Sequence, residues 1–211
     1  MLYIKKLWEV VNELITPFDM VYIEGVDRRK YDIFPMFWDF YEYTAIVFFS
    51  SILISFFIAL LLAYLTMFLS TKTRSRIKSV VSFLQALPDI FFIFLIQTGV
   101  IVLYQKTHIL LANVAGGFDR AYTIPILILA ILPTLLFFKI MIQIFQEEQE
   151  EEYFLFAISK GIERHSVLAV HLLRNALVRV FNHFNSVFWL MISNLVMLEY
   201  IFNMHGIISF M

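Results

Sequence analysis

The 211-residue chain has no cysteine, only six glycines and five prolines, and charged side chains at just 16% of its positions. Without cysteine there are no disulfides, no thiol catalysis and no cysteine-ligated metal, and the redox compartment stays open. A soluble globular domain carries about 25% charged residues. The deficit here is matched by 61% hydrophobic residues and 24 phenylalanines, which makes this a membrane chain. A net charge of -1 also argues against a nucleic-acid partner, because phosphate binding needs a basic face.

The start of the chain is not a signal peptide, since Glu9 and Glu13 interrupt the apolar run that must follow a basic start. "KKLWEVVNELI" reads instead as an amphipathic helix, with Leu7, Val10, Val11, Leu14 and Ile15 at helical spacing. Residues 1–42 are expected to form an extracytoplasmic segment, residues 43–207 a transmembrane domain, and residues 208–211 a short end. A bilayer core of about 30 Å needs roughly 20 helical residues. Four segments satisfy this: Tyr43 to Thr71, Ser79 to Gln105, Ala121 to Gln146 and Val180 to Leu198, the last broken by Asn182, His183, Asn185 and Asn194. The expected fold is therefore an all-α polytopic bundle with about four spans.

Basic residues in short loops mark the cytoplasmic side. "STKTRSRIKS" holds Lys72, Arg74, Arg76 and Lys78 with no acid, and the segment between spans three and four adds Lys160, Arg164, Arg174 and Arg179. Both loops are expected in the cytoplasm and both chain ends outside. The N-terminal segment is then either exported by the first span or preceded by a further one.

Within the first span Ser51, Ser55, Ala59 and Ala63 recur every four residues, a stripe on which another helix backbone can pack closely. Pro88, Pro125 and Pro133 each remove a backbone donor and are candidate kinks. Asp89, inside the second span, costs about 2.5–3.5 kcal/mol at a bilayer centre on insertion scales. It must face protein or water, as part of a translocation path or as a carboxylate solvated or paired with Lys78. Lys139 is expected to snorkel toward the surface, and Glu199 to close the last span.

Catalytic constellations are missing from the sequence: HExxH, GxSxG, a Walker A loop and an intramembrane carboxylate pair are all absent. His165, His171 and His183 do not share a helix face, which disfavours a metal site.

The informative region is the loop 147–179. Residues Tyr153 to Ile158 are apolar on every side of a helix, which is costly in water, so this helix needs partners on more than one face. Its glutamates either stay solvated or meet bases. Gly161 suits a left-handed backbone after a helix end, and Lys160 suits the helix dipole. A second helix follows from about Glu163, with Val167, Val170, Leu173 and Leu177 at helical spacing.

"EEYFLFAISKGIERHSVLAVHLLRNAL" resembles the cytoplasmic EAA loop of ABC importer permeases, in particular the dipeptide, oligopeptide and nickel branch. The matching positions are Glu151, Tyr153, Ala157, Lys160, Gly161, His171, Leu173, Arg174, Asn175 and Ala176. "LQALPD" and "EYIFNMHGI" continue the resemblance more weakly. The resemblance implies a type I importer fold in a bacterial-type plasma membrane and the uptake of peptides or a similar small solute. It implies no enzyme activity and no cofactor in this chain, with ATP-Mg used by separate ATP-binding cassette subunits.

By the same resemblance, Tyr153 to Lys160 forms a coupling helix that docks on the ATPase, Gly161 is its terminating turn, and Arg174 and Asn175 lie in the supporting helix. A second permease subunit and an extracytoplasmic solute-binding protein are further implied partners, beside membrane lipid. Three features depart from the family pattern: Phe154, Leu155 and Phe156 are bulky where small polar residues are usual, Asp89 replaces a small residue, and Met204-His205 stands where a proline is usual. The family's usual spans before residue 40 and after residue 207 are not seen in this chain. That leaves a second reading, a permease-derived assembly or sensory subunit, or a fragment of a longer permease.

Overall fold

A computed structural model describes residues 21–24, 29–107 and 121–210, together with Lys5, Lys6 and Trp8. Apart from those three positions, the amphipathic helix expected near the start lies outside the described residues. Two strands open the described part: β1 (Val21–Glu24) pairs antiparallel with β2 (Arg29–Asp32), Val21 opposite Asp32 and Glu24 opposite Arg29. Helices follow: α1 (Ile33–Thr66), α2 (Thr71–Gln85), α3 (Asp89–Thr107), α4 (Thr123–Glu150) and α5 (Glu152–Ser159). The short α6 (Arg164–Ser166) leads into a π-helix (Val167–Leu172), then α7 (Leu173–Asn182), α8 (Phe184–Phe202) and α9 (Ile207–Phe210). The membrane body is all-α as expected, and the β1–β2 ribbon is an addition that the sequence pattern did not suggest.

Two compact units are distinguished, residues 1–46 with 205–211 and residues 47–204. In the first, the opening turns of α1 carry an aromatic cluster. Phe37 stacks on Tyr41 at 6.0 Å and Trp38 meets Tyr41 edge-on at 5.6 Å, residue types that favour the headgroup level of a bilayer. The Ile207 amide donates to Thr44 Oγ1 (3.0 Å).

Four helices are long and apolar enough to cross a membrane: Met36–Thr66, Asp89–Thr107, Thr123–Glu150 and Phe184–Phe202. Two differ from expectation for a physical reason. The second begins at Asp89 because Pro88 ends the preceding turn, so the basic stretch expected as a loop is the separate helix α2. The fourth begins at Phe184 because the polar Asn182–His183 pair is a helix terminus.

Helix α4 is the hub of the second unit, touching α2, α3, α5, the π-helix, α7 and α8. More than half of its apolar window is buried, against 6% for α3. The small-residue stripe of α1 faces inward, with Ser51, Ser55, Ala59 and Ala63 all fully buried, while Leu53, Phe57 and Leu61 are exposed. Ser51 Oγ donates to Val47 O (2.6 Å) and lies 3.1 Å from Ile126 O on α4, which brings the two backbones close. Of the three prolines, Pro125 sits in the first turn of α4, where no donor is needed, and only Pro133 lies inside a helix. There Thr134 Oγ1 donates to Ala130 O (2.6 Å), supplying a partner where proline disturbs the ladder.

The π-helix changes which residues face inward. Five residues per hydrogen-bonded turn widen the coil, so the buried positions are Val167, Leu168, Leu172, Ala176 and Val180. Val170, expected on the apolar face, is 58% exposed.

Ala59 is fully buried, so replacing it by leucine overpacks the inward face of α1 and should lower stability by about 1–3 kcal/mol, whereas Leu53→Ala on the outer face should change it little. Thermal unfolding in detergent compares the two, and equal effects would refute the inward stripe.

Candidate functional site

The end of α4, the first turn of α5 and the second half of α7 converge on one carboxylate. Glu148 is 5% exposed. Its Oε1 accepts from Arg179 Nη1 (3.0 Å), and its Oε2 accepts a short hydrogen bond from the Tyr153 hydroxyl. Arg179 also pairs with Glu147, whose other oxygen accepts from Gln143 Nε2 (3.2 Å). A buried carboxylate demands such partners, because desolvation of an unpaired charge costs several kcal/mol. Satisfying Glu148 therefore ties α5 and α7 to the end of α4.

The Asn175 side chain on α7 lies near the Tyr153 phenol and by itself favours its ionised form. Burial, and next the negative Glu148 accepting its proton, push the Tyr153 phenol up to about 12. Glu148 first, and then Glu147, hold the Arg179 guanidinium above its ordinary value.

Helix α5 itself begins without a side-chain cap: Glu151 O takes the amides of Phe154 (3.0 Å) and Leu155 (3.2 Å). Phe154 and Ala157 are buried, whereas Leu155 (57%), Phe156 (60%) and Ile158 (39%) face outward. One side of the short helix is thus satisfied within the chain, and an apolar side is left open. Lys160 Nζ sits 4.3 Å above the Phe156 ring.

The helix ends in a Schellman turn. Gly161 N donates to Ile158 O (2.9 Å), Ile162 N donates to Ala157 O (3.3 Å), and Gly161 adopts φ +76°. The left-handed backbone expected at Gly161 is present. No atom lies within 4 Å of where a Cβ would stand, so the requirement for glycine is conformational and not steric crowding.

Of the residues the sequence singled out, Tyr153 and Asn175 meet, Ala157 packs inward, and Glu151, Lys160 and Arg174 are exposed at the surface of this region. Nothing is described for the His171 side chain. Glu147, Glu148 and Arg179 were missed as individuals. The acidic run 147–152 signalled that some glutamates meet bases, but which ones depends on the packing of α7.

Asp89 belongs to a different place. It is the first residue of α3, not a position inside a span, and its carboxyl faces the Asn194 side chain of α8 across a shared cavity. Of the alternatives for Asp89, pairing with Lys78 does not form: Lys78 Nζ donates to Gln146 Oε1 (2.9 Å) instead. Asp89 and Asn194 line a cavity of about 20 Å³ between α3, α4 and α8, room for one water. Glu199 is buried in the last turn of α8, and Lys139 is exposed on α4.

A family model described as "Binding-protein-dependent transport system inner membrane component" matches residues 34–211. The chain belongs to this family. It is a multi-pass inner-membrane permease of an ABC importer, and membership implies an ATPase and a solute-binding protein as partners in general terms. A search of curated proteins finds no match. In the permease, the segment that carries the EAA-like motif is the helix–Schellman turn–helix built around Glu148.

The Glu148 clamp makes two predictions. Arg179→Leu should lower stability by about 1–3 kcal/mol, less than a wholly buried pair because Arg179 is 41% exposed. The double change with Glu148→Leu should recover most of that loss, as measured by thermal unfolding in detergent; no recovery would refute the pairing. Tyr153 should also titrate late. Its folded value is raised above the ordinary 10.0, so its contribution to stability is complete below pH 10 and is lost as pH rises to about 12. The phenolate difference spectrum between the natural chain and Tyr153→Phe should appear only near pH 12, and a step at pH 10 would contradict the buried bond.

Proposed function

We propose that this permease takes up peptides or a similar small solute, in the manner of the dipeptide, oligopeptide and nickel branch, and that α5 is its coupling helix. The observation that carries the reading is the outward apolar side of α5, Leu155, Phe156 and Ile158, presented by a helix whose other side is anchored through Phe154, Ala157 and Tyr153. Such a surface fits an apolar groove on an ATP-binding cassette subunit, which hydrolyses ATP-Mg while this chain binds no cofactor.

Closure of two ATPase subunits then displaces α5. Because Tyr153 and Glu148 join α5 to α4, and Arg179 joins both to α7, the displacement reaches the spans as movement of one linked body. Glu151, Lys160 and Arg174 line the exposed surface of the coupling region, and Asn175 braces Tyr153 from α7.

The cytoplasmic side follows from charge. Lys78 reaches Gln146 near the end of α4, so the basic helix α2 and the coupling helix share one end of the bundle. The positive-inside rule puts that end in the cytoplasm. A second permease subunit, of the same or another chain, completes the pore, and an extracytoplasmic protein delivers the solute. Asp89 and Asn194 are the polar pair that faces the translocation path, since a carboxylate among spanning helices is retained where water or solute passes.

The test uses the backbone requirement at Gly161. Valine there meets φ +76° with a β-branched side chain, a conformation it resists, while asparagine tolerates it. Gly161→Val should reduce peptide uptake at least tenfold with expression intact, and Gly161→Asn should keep most of it. Phe156→Asp should abolish co-purification of the ATPase. Normal uptake by Gly161→Val would overturn the coupling assignment.

A further inference from the structure

We infer that α2 is an interfacial helix that binds anionic phospholipid, with Lys72 and Arg76 on the headgroups and Val80 and Phe83 among the acyl chains. The helix has 15 residues, about 22 Å at 1.5 Å per residue, which is too short to cross a bilayer core of about 30 Å. It lies in the chain between the end of one span at Thr66 and the start of the next at Asp89, which keeps it at a membrane surface. Ser70 caps its first turn, accepting from Thr73 N (3.3 Å).

Its inner side is spoken for. Arg74 and Val81 are buried, Arg74 donating to Met67 O (2.9 Å) and Leu69 O (3.4 Å) just beyond the end of α1, and Lys78 donates to Gln146. Two of the four cations are thus held by the protein itself.

The opposite side is a single stripe. Lys72, Arg76, Val80 and Phe83 follow one another at intervals of four, four and three and are all exposed, Val80 at 57% and Phe83 at 66%. Neither Lys72 nor Arg76 pairs with an acid among the described residues, and residues 67–88 contain no Asp or Glu. The stripe is graded along the helix, with cations toward its start and apolar side chains toward the proline that leads into α3.

That order matches the layers of a leaflet, anionic headgroup first and hydrocarbon beneath, for a helix dipping toward the core. An open recess of about 630 Å³ runs beside the stripe and is lined by Thr71, Ser75, Ser79 and Ser82 with Lys78 and Gln146. Its hydroxyls are donors suited to phosphate and glycerol oxygens. A free phosphate would leave Val80 and Phe83 uncovered, and a protein partner of matching charge would need acids set beside an apolar patch, whereas an anionic lipid supplies both in one molecule.

The chain has no natural cysteine, so Val80→Cys gives one labelling site. The full-length chain, labelled there with bimane, is reconstituted in phosphatidylcholine vesicles and titrated with brominated phosphatidylglycerol or brominated phosphatidylcholine. Half-quenching should need roughly thirtyfold less of the anionic lipid, from two cations near an anionic surface. Adding Lys72→Gln and Arg76→Gln should erase the difference, Lys160→Gln should leave it, and salt should shrink it. Equal quenching by the two lipids would overturn the assignment. So would an absence of quenching with disulfide-linked dimers of the unlabelled Val80→Cys variant, an outcome showing that another copy covers this face.

Discussion

The architecture at the end of α4 depends on burying one charge. Glu148 stands at the end of α4, the most enclosed helix, where water does not satisfy it. A carboxylate in that position is tolerable only with a cation and a donor at fixed geometry. Arg179 and Tyr153 supply them, and because they come from α7 and α5 the placement of both helices follows. The segment from α5 to α7 is then one braced body and not a helix on a flexible loop.

Two kinds of backbone irregularity surround that body. Gly161 ends α5 through a left-handed residue, and Asn203 ends α8 in the same way, with Met204 N reaching Glu199 O at 3.0 Å. Between them the π-helix Val167–Leu172 resets the register, so that Leu172, Ala176 and Val180 continue the buried face at intervals of four. Turn and widened coil together decide that Arg179 points at Glu147 and Glu148.

Charge also organises the two helices on the flank. Arg74 spends its guanidinium on carbonyls left open near the end of α1, Lys78 crosses to α4, and Lys72 and Arg76 remain outside. Four cations within seven residues therefore do different work according to helix face, a distinction invisible in a count of basic residues. The polar contact of Asp89 with Asn194 is of the same kind, linking α3 to α8 through side chains remote in sequence.

The number and approximate position of the spans, the helix and glycine turn at residues 152–161, and the inward stripe Ser51, Ser55, Ala59 and Ala63 were determined by the sequence alone. They rest on apolar run length, on residue spacing and on the φ that glycine permits, all properties of neighbours along the chain. The basic stretch 70–79 was misread as a loop because its cations interrupt hydropathy without interrupting helix formation, and residues 79–89 were set inside a span because the break at Pro88 was taken for a kink. Which glutamate of the acidic run is buried, which cation meets it, and which face of α2 stays open were decided only by tertiary structure. Those outcomes depend on contacts between residues some 30 to 70 positions apart, and local pattern carries no information about which distant side chain will arrive.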